Sequence, residues 1–248
     1  MDSLTPYDIA QMIDISAVRA DSTDDKIAAA IDCAKKYGCY LVTILPSQTR
    51  RALDLLAGAT TPKVGGNVGF PSGGQTVSIK SEETIELVKM GVDEIDMVID
   101  IAAHLSGRFD DVYRDIAEVV AAAQGHPVKV ILECHYLDEY LIRKGCDLAI
   151  KAGAAFVKTG TGWTPTGATL ENISLIKSHV GDAIKIKASG GIRDLDTLLE
   201  MRRRGADRFG INLVNVEKIM RLLNGMQQHD FLHVHQVDSD RKSTRLNS

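Results

Sequence analysis

A unit of short apolar strand followed by amphipathic helix repeats eight times along this chain. Period-two apolar runs bounded by turn residues begin at Met12 (MIDIS), Tyr40 (YLVTIL), Val64 (VGGNVGF), Glu94 (EIDMVID), Val128 (VKVILE), Ala155 (AFVKT), Ile184 (IKIKAS) and Asp207 (DRFGIN). A helical pattern follows each run. Between Asp24 and Tyr37, Ile27, Ala30, Ile31 and Ala34 recur at three- and four-residue steps, while Asp25, Lys35 and Lys36 take the opposite face. Gly38, Gly91, Gly125, Gly153, Gly181 and Gly205 stand where helices should stop, a position that favours the left-handed conformation glycine adopts cheaply. Val- and Ile-rich strands alternating with helices predict a parallel sheet, because parallel neighbours need crossover connections. Eight units in about 225 residues predict a closed (β/α)8 TIM barrel, a single domain over residues 1–225. A Rossmann-like open sheet is the runner-up, but no GxGxxG follows the first strand.

The 248 residues suffice to bury roughly three quarters of the unfolded surface, so such a core needs no disulfide or structural metal. Lys and Arg number 29 against 33 Asp and Glu, giving a net charge of -4 and a pI near 6.0. That balance lacks the basic footprint of a nucleic-acid binder. No run approaches about 18 apolar residues, and MDSLTPYDIAQM lacks both the basic and the apolar regions of a signal peptide, so a cytoplasmic protein without membrane association is expected. Cys33, Cys39, Cys134 and Cys146 show neither a CxxC pair nor zinc-finger spacing and read as reduced thiols in packing positions.

Chemistry on this fold sits at the carboxyl ends of the strands, and polar residues collect there. Asp14 and Ser16 end the first strand, Thr43 the second, Asn67 the third, Asp96 and Asp100 the fourth, Glu133 the fifth, Lys158 the sixth, Lys187 the seventh and Asn212 the eighth. Two inward lysines on neighbouring strands repel each other, and that repulsion together with desolvation lowers the pKa of one of them. A lysine shifted from ~10.4 to ~7.5 would raise its neutral, nucleophilic share at pH 7 from under ~0.1% to ~20%, which suits Schiff-base formation. Asp96 is placed to move the protons this chemistry requires. The same pattern fits an interior ion-pair network of Asp96, Lys158 and Lys187 that serves structure only. A second signal is SGGIR, Ser189 to Arg193, with FGIN, Phe209 to Asn212; glycines there let backbone N–H groups converge on an anion, and Gly160, Thr161 and Gly162 complete the cradle.

GVDEIDMVID, VKVILE, KAGAAFVKTGTGW, KASGGIRD and GFPSGG closely resemble the 2-deoxyribose-5-phosphate aldolases, class I Schiff-base aldolases of (β/α)8 fold, and the likeness runs from about Leu4 to about Asn224. The resemblance implies that Lys158 forms the imine, Lys187 perturbs it and Asp96 relays protons; it ranks Lys158 over Lys187, which the residues alone do not. It also implies that Gly190, Gly191 and Gly210 hold the substrate phosphate and that Asp14 matches the aspartate of the family's first strand. The reaction implied is reversible cleavage of 2-deoxyribose 5-phosphate to acetaldehyde and glyceraldehyde 3-phosphate, without metal or organic cofactor. Ser16, Thr43, Thr161, Gly162 and Asn212 complete the expected substrate contacts. The chain departs from the family pattern at Ile15, Thr43, Gly160, Trp163, Asn212 and Leu213, and at Asp100, which is expected to put a second carboxylate near the site. These departures leave open a class I aldolase acting on another phosphorylated sugar or keto donor, and a phosphosugar-binding barrel without turnover. Exposed outer helices of such barrels commonly support a homodimer.

Outside the repeat, residues 226–248 read as a tail, and the last nine, DRKSTRLNS, match a translated sequencing adapter and are taken as non-native. His229, His233 and His235 have no recognised set of metal ligands around them, and no metal site is expected. Arg202, Arg203 and Arg204 read as a solvated helix end, His135 as a structural histidine and Cys134 as packing.

Overall fold

In the computed structural model, which describes residues 4–225, all eight strands are parallel, pair in chain order and close on themselves. They are β1 (Ile13–Ala17), β2 (Leu41–Ile44), β3 (Lys63–Val68), β4 (Glu94–Val98), β5 (Val128–Ile131), β6 (Phe156–Lys158), β7 (Lys185–Ser189) and β8 (Arg208–Asn212). The helices are α1 (Pro6–Ala10), α2 (Asp24–Tyr37), α3 (Thr49–Leu56), α4 (Val77–Met90), α5 (Ile101–Leu105), α6 (Phe109–Ala122), α7 (Glu139–Lys151), α8 (Leu170–Val180), α9 (Leu195–Arg203) and α10 (Leu213–Gly225). The architecture is the single-domain (β/α)8 barrel expected. The tail histidines and DRKSTRLNS lie outside the described residues.

Side-chain oxygens cap the helices where the chain leaves the barrel: Thr23 accepts from Lys26 N, Asp138 from Leu141 N, Thr169 from Asn172 N and Asp194 from Thr197 N. At the far ends Gly38 and Gly91 are left-handed C-caps, with φ of 73° and 102°. Two five-residue helices, α1 and α5, lie outside the strand–helix repeat. A Thr5–Asp8 capping box starts α1, whose Ile9 and Ala10 are buried.

Strand alternation divides the residues into two sets. Ile13, Ile15, Ile95, Met97, Val130, Val157, Ile186 and Ala188 belong to the apolar core beneath the helices. The other phase holds Asp14, Glu94, Asp96, Lys129, Lys158, Lys187 and Arg208. Contacts between non-adjacent strands, such as Asp96 on β4 with Lys187 on β7, are made only through the barrel interior.

Three local expectations are corrected. β4 ends at Val98, and the Asp100 carboxylate accepts from Ala103 N at 2.9 Å as the N-cap of α5, so it supplies no second carboxylate to the mouth. β5 ends at Ile131, and Glu133 adopts the left-handed conformation at φ 56°. The arginine run is paired rather than merely solvated: Arg203 and Arg204 each meet Glu200 at 2.8 Å, and Arg202 donates to Ala206 O.

Candidate active site

Three carboxylates, Asp14, Glu94 and Asp96, face four cations, Lys129, Lys158, Lys187 and Arg208, inside the barrel. Asp96 is the hub: its Oδ2 meets Lys158 Nζ at 2.7 Å and Lys187 Nζ at 2.8 Å, and its Oδ1 meets Lys129 Nζ at 2.7 Å. Lys129 also reaches Glu94 at 2.6 Å, Lys187 reaches Asp14 at 2.6 Å, and Arg208 reaches Asp14 at 2.8 Å. Lys158 is 3% exposed, whereas Asp14, Asp96, Lys129 and Lys187 are 0% exposed. Buried charges persist only when paired, and with all seven groups ionised one cation is left in excess.

The titration behaviour follows from that arithmetic. Burial works against the charge of Asp96, yet Lys129, Lys158 and Lys187 hold its carboxyl well below the usual carboxylate range. Burial likewise opposes the charge of Lys129, but Asp96, Asp14 and Glu94 keep it protonated and push its pKa up. Lys158 goes the other way: burial, reinforced by Lys187 and Lys129, overcomes Asp96 and brings its pKa down to about 8. Roughly a tenth of Lys158 is then neutral at pH 7. The predicted lowering of one lysine therefore falls on Lys158, with desolvation as its largest cause.

Above the cluster opens a cleft of about 400 Å³, and Ser16, Thr161, Gly162, Gly190, Gly191, Gly210 and Asn212 all line it. Asp14 and Thr43 do not. Asp14 is held by Lys187 and Arg208, while Thr43 accepts from Asn67 Nδ2 at 2.9 Å. Backbone of the loops after β6 and β7 meets at Gly167 and Gly190, where a methyl group on Gly167 would overlap the Gly190 backbone. His135 stands at the rim with its ring Nδ1 2.6 Å from Thr166 Oγ1. All four cysteines are buried free thiols.

Sequence reasoning missed Lys129, Glu94 and Arg208, although each is a charge in a period-two apolar run, the signal that singled out Lys158. It also missed what Glu133 does. Its buried carboxylate accepts from Thr161 N at 3.2 Å, from Thr161 Oγ1, and from Thr164 Oγ1 at 3.2 Å, and so shapes the loop after β6. A Cβ at position 160 would lie 2.7 Å from Glu133 Oε1, which accounts for Gly160.

Residues 9–211 match the DeoC/LacD family aldolase profile. The chain belongs to the DeoC/LacD aldolase family. It is 42% identical over 227 residues to the deoxyribose-phosphate aldolase of Klebsiella pneumoniae, covering 91% of this chain and 90% of that protein. The deoxyribose-phosphate aldolase of Methanothermobacter thermautotrophicus is 45% identical over 211 residues, 85% of this chain and 93% of its own. Among solved structures, the tetrameric deoxyribose phosphate aldolase of Aeropyrum pernix superposes with a TM-score of 0.82 at 28% identity, over 90% of this chain and 94% of that one. Among the described residues no helix is long and apolar enough to cross a membrane.

Proposed function

We propose that this family member reversibly cleaves 2-deoxyribose 5-phosphate to acetaldehyde and glyceraldehyde 3-phosphate through an imine at Lys158. The observation that carries the proposal is the Lys158 amine, buried against Asp96 and held at a pKa of about 8, beneath a cleft of backbone amides and hydroxyls. The names of the relatives supply the substrate.

Neutral Lys158 attacks C1 of the open-chain sugar, and loss of water from the carbinolamine leaves a protonated imine. Deprotonation of the C3 hydroxyl breaks the C2–C3 bond; the electrons pass to C2 and the imine becomes an enamine, releasing glyceraldehyde 3-phosphate. Protonation at C2 and hydrolysis then free acetaldehyde and Lys158. Asp96, in contact with both lysines, and Lys187 carry the protons. The phosphate is taken by Gly162, Gly190, Gly191 and Gly210 with Thr161, Ser16 and Asn212 around it, while Asp14 and Thr43 support the site from beneath. No metal or organic cofactor enters these steps. We place the activity in residues 1–225 and in deoxyribonucleotide breakdown in the cytoplasm.

Borohydride reduction in the presence of 2-deoxyribose 5-phosphate, or of acetaldehyde alone, followed by peptide mass mapping tests the proposal. An adduct on Lys158 that disappears in Lys158→Ala is expected. A folded protein that traps neither compound at high concentration has no class I chemistry and is a phosphosugar-binding barrel.

A further inference from the structure

The cleft above the lysines contains two arginines, Arg19 and Arg193, and no carboxylate. Its β8 side offers amides but no charge: Asn212 Oδ1 accepts from Asn215 N at 3.0 Å, which leaves its Nδ2 as a neutral donor, and Asn215 Nδ2 donates to Ile192 O at 3.2 Å. A charged contact to an anion must therefore come from an arginine.

The two arginines differ in how they are held. Arg193 makes no hydrogen bond or ion pair to another described residue. Arg19, on the loop after β1, lies with its guanidinium carbon 4.6 Å from the centre of the Trp163 ring and donates to Gly162 O at 3.5 Å. Trp163 is itself fixed from three sides. Its backbone N–H donates to Thr161 Oγ1 at 3.0 Å, its indole Nε1 donates to Val18 O at 3.1 Å, and the Phe70 ring meets it edge-on at 6.0 Å. Thr161 is anchored in turn on the buried Glu133 carboxylate. A chain of contacts thus runs from Glu133 through Thr161 and Trp163 to Arg19. A guanidinium held in place before the ligand arrives loses less side-chain entropy on binding than a free one.

We infer that Arg19 is a specificity-determining residue for the phosphoryl end of the substrate and that Trp163 is the positioning residue that presents it. This inference rests on the class I reading of the site for its substrate, but the arginine–indole pair is defined by the cleft alone. Trp163 also lines a second, mainly apolar cavity, with Pro71, Ile101, Leu105 and Tyr136, so its ring stands at the partition between the two. Trp163→Phe keeps that partition and removes the Val18 bond, which makes it a better probe than alanine.

The test compares kcat and KM for 2-deoxyribose 5-phosphate and unphosphorylated 2-deoxyribose in the wild type, Arg19→Met, Trp163→Phe and the double variant. Arg19→Met is expected to lower the preference for the phosphorylated sugar by about tenfold or more, the loss appearing in KM rather than kcat. Trp163→Phe should act in the same direction by about threefold, and should add little once Arg19 is gone. Equal losses on both sugars, or an unchanged preference in Arg19→Met, overturn the inference. Titration with inorganic phosphate, read by the fluorescence of Trp163, the only tryptophan, keeps the test independent of turnover. Phosphate affinity about tenfold weaker in Arg19→Met supports the pair even if acetaldehyde trapping fails, and equal affinity counts against it even if trapping succeeds.

Discussion

Lys158 touches one carboxylate, Asp96, and shares it with Lys129 and Lys187. Its depressed pKa is therefore also a statement about stability. The unfolded chain, with a lysine pKa near ~10.4, binds more protons than the folded one between pH 8 and that value, so folding gains stability as pH rises through this window. Below pH 8 the buried ammonium costs roughly 1–3 kcal/mol. Lys158→Met leaves Asp96 paired with Lys129 and Lys187 and balances three carboxylates against three cations. The variant should be more stable than the wild type by roughly 1–3 kcal/mol at pH 7, with the gap closing towards pH 10, while losing imine formation altogether. Denaturant unfolding at pH 7 and pH 10 measures both limbs. A variant less stable at pH 7 would contradict the charge count.

The loops after β6 and β7 act together. The first is drawn inward by Glu133, and its Gly167 lies directly on Gly190 of the second. Gly167→Ala must push the two loops apart without touching the lysine cluster. Its KM for 2-deoxyribose 5-phosphate should rise about ten- to a hundredfold, while trapping of acetaldehyde at Lys158 persists. Loss of acetaldehyde trapping in a folded variant would show that the loops also hold Lys158 in place. Glycine at 160 and glycine at 167 answer different demands: the first leaves room for a carboxylate, the second for a neighbouring backbone.

Closure of the barrel joins residues far apart in the chain. Asp14 on β1 meets Arg208, 194 residues away on β8, at 2.8 Å, and meets Lys187 of β7 at 2.6 Å. Burial raises the pKa of Asp14, but Lys187, Lys129 and Arg208 together bring it below its usual value. Its contribution to stability is held above pH ~3.9 and is lost as pH falls below that. Asp14→Ala leaves Lys187 and Arg208 short of a partner across the β8–β1 seam, and should cost about 3–5 kcal/mol. Hydrogen exchange should show the loss first in the amides of β1 and β8. Uniform loosening of all eight strands would instead place Asp14 in a general electrostatic role.

Strand number, parallel order and helix stops were legible in the sequence because each depends on residues within one unit: apolar periodicity in strand and helix, and a glycine at the end. Lys158 and Lys187 were legible for a similar reason, since a charge inside an apolar strand is conspicuous wherever the strand ends up. By itself the sequence did not say which lysine carries the lower pKa, because that depends on how many opposite charges surround each one once eight strands have closed. Lys129, Glu94 and Arg208 carry the same local signal of a charge inside an apolar strand, but their partners are set only by closure of the barrel, and Asp100 leaves the cluster because the chain turns into a helix that its carboxylate caps. The hold of Glu133 on Thr161 and of Trp163 on Arg19 spans loops up to 144 positions apart, as Arg19 and Trp163 are. Contacts of that kind have no local signature, and tertiary structure alone decides them.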